Sequence, residues 1–126
     1  MWPWEHLAVG YVGYSLLCHA AGRRPRGWPV VALAVGTQFP DLVDKPLAWV
    51  FGVIPSGQSL AHSLLVAVPT VTAVALAGAL LGHRDSALAF GVGYLSHLPA
   101  DVVYPALIGG SLRPEAVLWP LVPAAD

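Results

Sequence analysis

A run of twenty residues without a charged side chain constrains the fold of this chain more than any other feature. The run is residues 63–82, SLLVAVPTVTAVALAGALLG, and Pro69 is a point at which a helix could bend. A helix needs about 20 mostly apolar residues to cross a bilayer. The run therefore predicts a membrane-spanning helix.

Three other segments favour the same kind of helix, in a chain that is 56% hydrophobic and only 10% charged. They are residues 7–22, 28–54 and 86–108, and Pro40 and Pro46 interrupt the second of them. Irregular backbone at membrane depth is tolerated only where protein or a water-filled cavity surrounds it, so the interruption hints at a site. The sequence thus predicts an all-α, polytopic membrane protein with about four transmembrane helices, the second broken around Pro40–Pro46.

The 126 residues contain no linker and no internal repeat, which predicts a single domain over residues 1–126. A formal net charge of −1 argues against a nucleic-acid partner, so the expected partner is membrane lipid. Nothing in the sequence favours one oligomeric state over another.

Four of the six basic residues lie in two short segments, RRPR at 23–26 and HRD at 83–85, which predicts that both loops face the cytoplasm. With four spans and a rise of about 1.5 Å per residue, the ionisable groups of the spans reach one depth in the outer half of the membrane. We therefore expect a multi-pass cell-membrane protein with its site near the outer face. The residues that converge there are His6, Asp41, Asp44, His62, His97 and Asp101.

The spacing of these residues favours metal binding, although each has another interpretation. His97 and Asp101 are four apart and so share one helical face, which suits two ligands of one ion; the alternative is a buried His–Asp hydrogen bond. Asp41 and Asp44 are three apart, and the alternative is an interfacial loop in which Lys45 neutralises one carboxylate.

The remaining histidines divide into two groups. His6 and His62 stand at the predicted depth but could also be interfacial residues, whereas His19 and His83 lie near the opposite face and are not expected to be ligands. Imidazoles and carboxylates together suit zinc, with manganese or iron possible. Neighbouring carboxylates would otherwise repel one another and take up protons, so a divalent cation is expected.

Four short motifs follow one another along the chain. HLAVG, with a His and a Gly four residues later, is followed by PDLVD, AHSLL and GYLSHLPAD. In this order they resemble the membrane-bound metal-dependent hydrolase family of the LexA-regulated inner-membrane type, over nearly the whole chain from His6 to Asp101. More remotely, the order His, Asp, His, His-x-x-x-Asp is similar to that of the zinc-dependent phospholipase C and P1 nuclease superfamily.

The resemblance implies a first ion held by one of two aspartates and three further ligands, and a second ion shared by two residues. The first set is Asp41 or Asp44 with His62, His97 and Asp101, and the second is His6 with Asp101. The chain departs from the superfamily after Asp101, where it has no His, and Ala61 stands where the family usually has Thr. We therefore expect one or two ions and not three.

The chemistry that the resemblance implies is metal-assisted hydrolysis, in which the ion lowers the pKa of a bound water and polarises a phosphoryl or acyl oxygen. Whichever of Asp41 and Asp44 does not bind the ion could accept the proton of that water. Lys45 could meet a phosphate, unless it is a snorkelling interfacial lysine.

The predicted function is a membrane-embedded metal-dependent hydrolase acting on a phosphoester of a lipid or lipid-linked substrate. One alternative is a non-catalytic metal-binding or ion-transporting small membrane protein, since intramembrane His and Asp also mark ion paths. Another is a structural subunit whose polar groups only hold helices together.

Overall fold

The fold consists of helices joined by short connections. A computed structural model describes residues 1–124 and contains no strand within them. The helices are α1 (Pro3–Ala20), α2 (Trp28–Lys45), α3 (Leu64–Leu80), α4 (Arg84–Leu107) and the short α5 (Glu115–Leu118), and a single π-helical turn, Pro46–Val50, directly follows α2. The all-α part of the prediction is confirmed.

The predicted membrane-spanning architecture is wrong. Within the part of the chain that the structure describes, no helix combines the length and the apolar character that crossing a membrane requires. The most apolar helix, α3, ends after 17 residues, which is about 26 Å at the usual rise and short of a bilayer core of about 30 Å. The longer α4 carries Arg84, Asp85, His97 and Asp101. Without membrane-spanning helices, the predicted multi-pass topology and the predicted position of the site near the outer face have no basis.

Pro40 does not interrupt the second helix. The α-helix runs through Pro40 to Lys45, and only at Pro46 does the backbone change to the wider π-helical turn. A proline inside a helix removes one backbone hydrogen bond, and here the packing around α2 tolerates that loss. The predicted break is therefore confined to the Pro46 end, after which residues 51–63 fold back over the end of α2.

Glycine lets α2 and α4 approach each other until their backbones touch. A Cβ atom at Gly36 of α2 would overlap the carbonyl group of Phe90, and one at Gly93 of α4 would overlap the carbonyl oxygen of Leu33. The helix α4 also packs against α1 and α3. A small apolar core lies beside this contact and is formed by Ala67, Tyr94 and Leu98.

The two basic loops meet at one end of the helices. Arg23, in the loop between α1 and α2, donates to Asp85 in the first turn of α4, with its Nη2 2.5 Å from Oδ2. RRPR and HRD thus lie at the same end of the helices, whereas their predicted position on the cytoplasmic side of a membrane has no support. The candidate metal centre lies at the opposite end.

Candidate metal centre

Four buried side chains meet where α2, α3 and α4 converge. Their ligand atoms all lie within 4.8 Å of one another, so they could hold one metal ion. Three of them lie inside helices, one on α2 and two on the same face of α4, four residues apart. The fourth directly precedes Ser63, the N-cap residue of α3. We call these four residues the metal cluster: Asp41, His62, His97 and Asp101.

Hydrogen bonds fix the tautomers of the two clustered histidines. Nδ1 of His97 lies 2.7 Å from the carbonyl oxygen of Thr37, which can only accept, so Nδ1 carries the hydrogen. Nδ1 of His62 lies 2.8 Å from Oδ2 of the Asp44 carboxylate and donates to it in the same way. When both rings are neutral, each Nε2 atom carries a lone pair, and the two atoms face each other at 3.1 Å.

Two carboxylate oxygens complete the set of electron-rich atoms. Asp101 Oδ2 lies 3.4 Å from Nε2 of both His62 and His97. Asp41 Oδ1 is slightly farther, at 3.6 Å from His62 Nε2 and 3.9 Å from His97 Nε2. Ligands placed about 2.0–2.1 Å from a tetrahedral ion are about 3.3–3.4 Å apart, and the three shortest separations are close to that value.

Asp44 lies behind His62 and does not face the cluster. Its carboxylate accepts hydrogen bonds from the backbone N–H groups of Ser59, Ala61 and His62, at 2.9, 2.7 and 3.2 Å. Burial alone would raise the pKa of Asp44, but the hydrogen bonds from His62 and from this backbone outweigh burial and lower it. Asp44 is therefore an ionised group that holds the loop and orients the His62 ring.

The buried charges of the cluster shift one another's pKa values. Burial would raise the pKa of Asp101, but contacts with three imidazoles hold it well below its usual range. Burial would lower the pKa of His62, yet Asp101 and Asp44 reverse this and raise it, whereas burial is the main reason why the pKa of His97 is lowered. His97 therefore favours its neutral form, and His62 attracts a proton that a bound cation would displace.

His6 lies at the edge of the metal cluster. The residue is 1% exposed, its ring stacks on the His97 ring with the centroids 3.6 Å apart, and its Nε2 is 3.1 Å from Asp101 Oδ1. Neither ring nitrogen makes a hydrogen bond within the described part of the chain. Nε2 thus contacts Asp101 without the geometry of a hydrogen bond, and a buried imidazole that lacks well-formed hydrogen bonds is costly.

A surface opening lies beside the metal cluster and is bordered by two residues that contact its carboxylates. Lys45 Nζ lies 2.5 Å from Asp41 Oδ2, and Gln58 Nε2 donates to Asp101 Oδ2 at 2.9 Å. Both residues also line a depression of about 390 Å³ with Trp49 and Gly57. Oδ2 of Asp41 and Oδ2 of Asp101 are thus each held by a side chain that borders this opening.

All the predicted site residues lie at the same end of the helices, but only four of them belong to the metal cluster. Asp41, His62, His97 and Asp101 form the metal cluster; Asp44 and Lys45 each contact one of its members, and His6 contacts two. His19 and His83 are exposed and lie outside it, as expected. Sequence reasoning missed the Thr37 carbonyl and Gln58, because neither a backbone oxygen nor an isolated glutamine carries a spacing signal.

The comparison with protein families matches residues 1–125 to the family described as YdjM inner membrane protein. The chain belongs to the YdjM inner membrane protein family. No curated protein and no solved structure matches the chain. Membership of the YdjM family supports location at the inner membrane and the inner-membrane part of the resemblance. It brings no evidence of a hydrolase, or of a relationship to the zinc phospholipase C and P1 nuclease superfamily.

Proposed function

We propose that this chain is a metal-dependent hydrolase whose ion is held by His62, His97 and Asp101. The observation that carries the proposal is the pair of Nε2 lone pairs facing each other at 3.1 Å, with both Nδ1 hydrogens already donated elsewhere. Such a pair is repulsive unless a cation or a proton lies between the two atoms. Two neutral imidazoles and a carboxylate form the ligand set of many catalytic zinc sites, so zinc is the proposed ion.

Asp41 is the proposed general base. Its side chain is 10% exposed, whereas those of His62 and His97 are fully buried, and it lies farther from both Nε2 atoms than Asp101 does. Zinc with three protein ligands keeps a position for water and lowers the pKa of that water toward about 7. A carboxylate beside that position can accept the proton, while Asp44 acts as a positioning residue through the ring of His62.

The proposed substrate is a phosphoester of a lipid or lipid-linked molecule. Lys45, at the opening, could exchange its contact with Asp41 for a phosphate oxygen, since an ammonium group binds phosphate as a point charge. Trp49, which lines the opening, is 72% exposed, and the next two residues of the chain, Val50 and Phe51, are also exposed. Family membership at the inner membrane supports a substrate of this class.

The test is metal content and turnover of the purified full chain and three variants. Wild-type protein should hold about one zinc and cleave at least one member of a panel of phospholipids, lipid phosphates and nucleotide esters. His97→Ala should lose the ion, because one of three protein ligands is gone, and His19→Ala should change nothing. Asp41→Asn should keep the ion and slow turnover by about 10² to 10⁴.

Two results would overturn this assignment. Full zinc content in His97→Ala would show that the cluster is not the metal site. Loss of zinc in Asp41→Asn, together with no cleavage of any substrate by the loaded wild type, would favour a closed four-ligand structural site. The predicted second ion between His6 and Asp101 would appear as a second equivalent of metal that His6→Ala alone removes.

A further inference from the structure

A large cavity lies at the end of the helices opposite the metal cluster. It measures about 680 Å³ and is lined by the α1–α2 loop, the end of α1 and the start of α4. Three arginines, Arg23, Arg24 and Arg26, face one carboxylate, Asp85. We call this space the basic cavity.

The arginines of the basic cavity differ in what they already bind. Arg23 is paired with Asp85, which orients its guanidinium group at the wall of the cavity. Arg24 and Arg26 are exposed, and no ion pair or hydrogen bond of their side chains occurs among residues 1–124. The cavity therefore carries an excess of positive charge that suits an anion, and a planar guanidinium group is well shaped to bind phosphate.

An apolar groove continues from the basic cavity along α1 and α4. This groove of about 290 Å³ shares Tyr14, Cys18, Arg23 and Asp85 with the cavity, and its other walls are apolar. Among them, Leu17 is 58% exposed and Leu88 is 48% exposed. A polar, cationic space joined to an apolar channel matches a ligand with an anionic head and a hydrocarbon tail.

We propose that the basic cavity and the apolar groove together bind an anionic phospholipid. The phosphate lies among Arg23, Arg24 and Arg26, and one acyl chain lies along Leu17 and Leu88. Trp28, 78% exposed at the same end, is the type of side chain enriched at the headgroup level of membranes. The inner-membrane family to which the chain belongs brings it to such lipids. The site is separate from the metal cluster and does not depend on the proposed hydrolase activity.

The experiment measures lipid binding to the full chain in an uncharged detergent by native mass spectrometry. Dihexanoyl phosphatidylglycerol, dihexanoyl phosphatidylcholine and inorganic phosphate are titrated separately. We expect phosphatidylglycerol to bind at least about tenfold more tightly than phosphatidylcholine, since each arginine near an anionic lipid contributes substantially to binding. Inorganic phosphate should bind much more weakly, because it cannot fill the groove.

Matched variants separate the two parts of the site. Arg24→Gln and Arg26→Gln should each weaken phosphatidylglycerol binding several-fold and together about tenfold or more, whereas Arg113→Gln, the same charge change outside both lining sets, should not. Leu17→Asn should weaken binding of both lipids, and Leu16→Asn, on the same helix but outside the groove, should not. Circular dichroism and elution volume establish that each variant is folded.

Three results would overturn the proposal. Equal affinity for the two lipids would show that the arginines do not select an anionic headgroup. A loss of phosphatidylglycerol affinity in Arg113→Gln equal to that in Arg24→Gln and Arg26→Gln would show that only the overall charge of the protein matters. Inorganic phosphate that binds as tightly as phosphatidylglycerol would identify a free anion as the ligand and not a lipid.

Discussion

Asp44 links the local fold to the chemistry at the scale of single residues. It is fully buried, and its two oxygens serve three backbone N–H groups and the Nδ1 atom of His62. The same carboxylate therefore closes the loop before α3 and selects the tautomer that leaves His62 Nε2 free for a metal. Carboxylates in this position raise the basicity of a ligating imidazole.

Replacing Asp44 by Asn should weaken both the attachment of the loop before α3 and the orientation of the His62 ring, without removing a metal ligand. An amide offers one accepting oxygen, and its NH₂ group would point at backbone N–H groups that also donate. We expect a loss of stability of about 1–3 kcal/mol and of about 10- to 100-fold in metal affinity, measured by thermal unfolding and metal titration. Asp85→Asn, at an exposed ion pair, is the control and should cost less than about 1 kcal/mol. Unchanged metal affinity in Asp44→Asn would show that His62 does not need this partner.

The chemistry of the site could be predicted from residue type and spacing, but the division of roles could not. The four-residue spacing of His97 and Asp101 predicted their shared face, and their 3.4 Å contact confirms it. Asp41 and Asp44 share a helix face equally well, so spacing cannot separate them. What separates them is the return of residues 51–63 over Asp44, a segment whose sequence has no periodic pattern.

At the scale of elements, the contact between α2 and α4 positions the metal cluster. Gly36 and Gly93 allow the two backbones to touch, and each lies close to a residue of the site: Gly36 precedes Thr37, and Gly93 is one turn before His97. The 2.7 Å hydrogen bond from His97 to the Thr37 carbonyl requires that close approach. Two small residues thus determine the distance on which the tautomer of His97 depends.

Gly93→Ala should therefore reduce metal content although residue 93 contacts no ligand directly. The added Cβ would overlap the backbone of α2, and the resulting separation of the helices would lengthen the bond between His97 and Thr37. We expect destabilisation of about 1–3 kcal/mol and substoichiometric metal, read by metal analysis and thermal unfolding. Gly13→Ala, where a Cβ meets nothing within 4 Å, is the control and should be neutral or stabilising by up to about 1 kcal/mol. Full metal content in Gly93→Ala would contradict this account.

Helix positions followed from apolar patterning, whereas the end of the second helix did not. The uncharged run 63–82 became α3, Leu64–Leu80, with Ser63 as its N-cap, so that element was predicted within two residues at each end. The prediction over residues 28–54 combined α2, the π-helical turn and part of a loop into one span. Apolar composition shows that a segment avoids water, and it does not state where a helix ends or how α2 tolerates Pro40.

The whole molecule carries two chemically different ends joined by α1 to α4. Three carboxylates gather at one end, where Lys45 and the amino group of Met1 are the formal cations in contact with them. At the other end, three arginines face a single carboxylate. An ion at the first end would offset the repulsion among buried carboxylates, so metal binding and the stability of the whole fold should be coupled.

Removing the metal should therefore lower the thermal midpoint of the entire chain. An ion that binds the folded form alone adds about 2.7 kcal/mol at a free concentration one hundred times its dissociation constant. A chelator should cancel that gain in wild-type protein and in His19→Ala. It should leave the thermal midpoint of His97→Ala unchanged, because that variant has already lost a ligand. Thermal unfolding with and without chelator measures the difference, and re-addition of zinc should restore it. An equal shift in wild type and His97→Ala would mean that the ion acts elsewhere, and the metal cluster would then be a hydrogen-bonded pair of histidines between two aspartates.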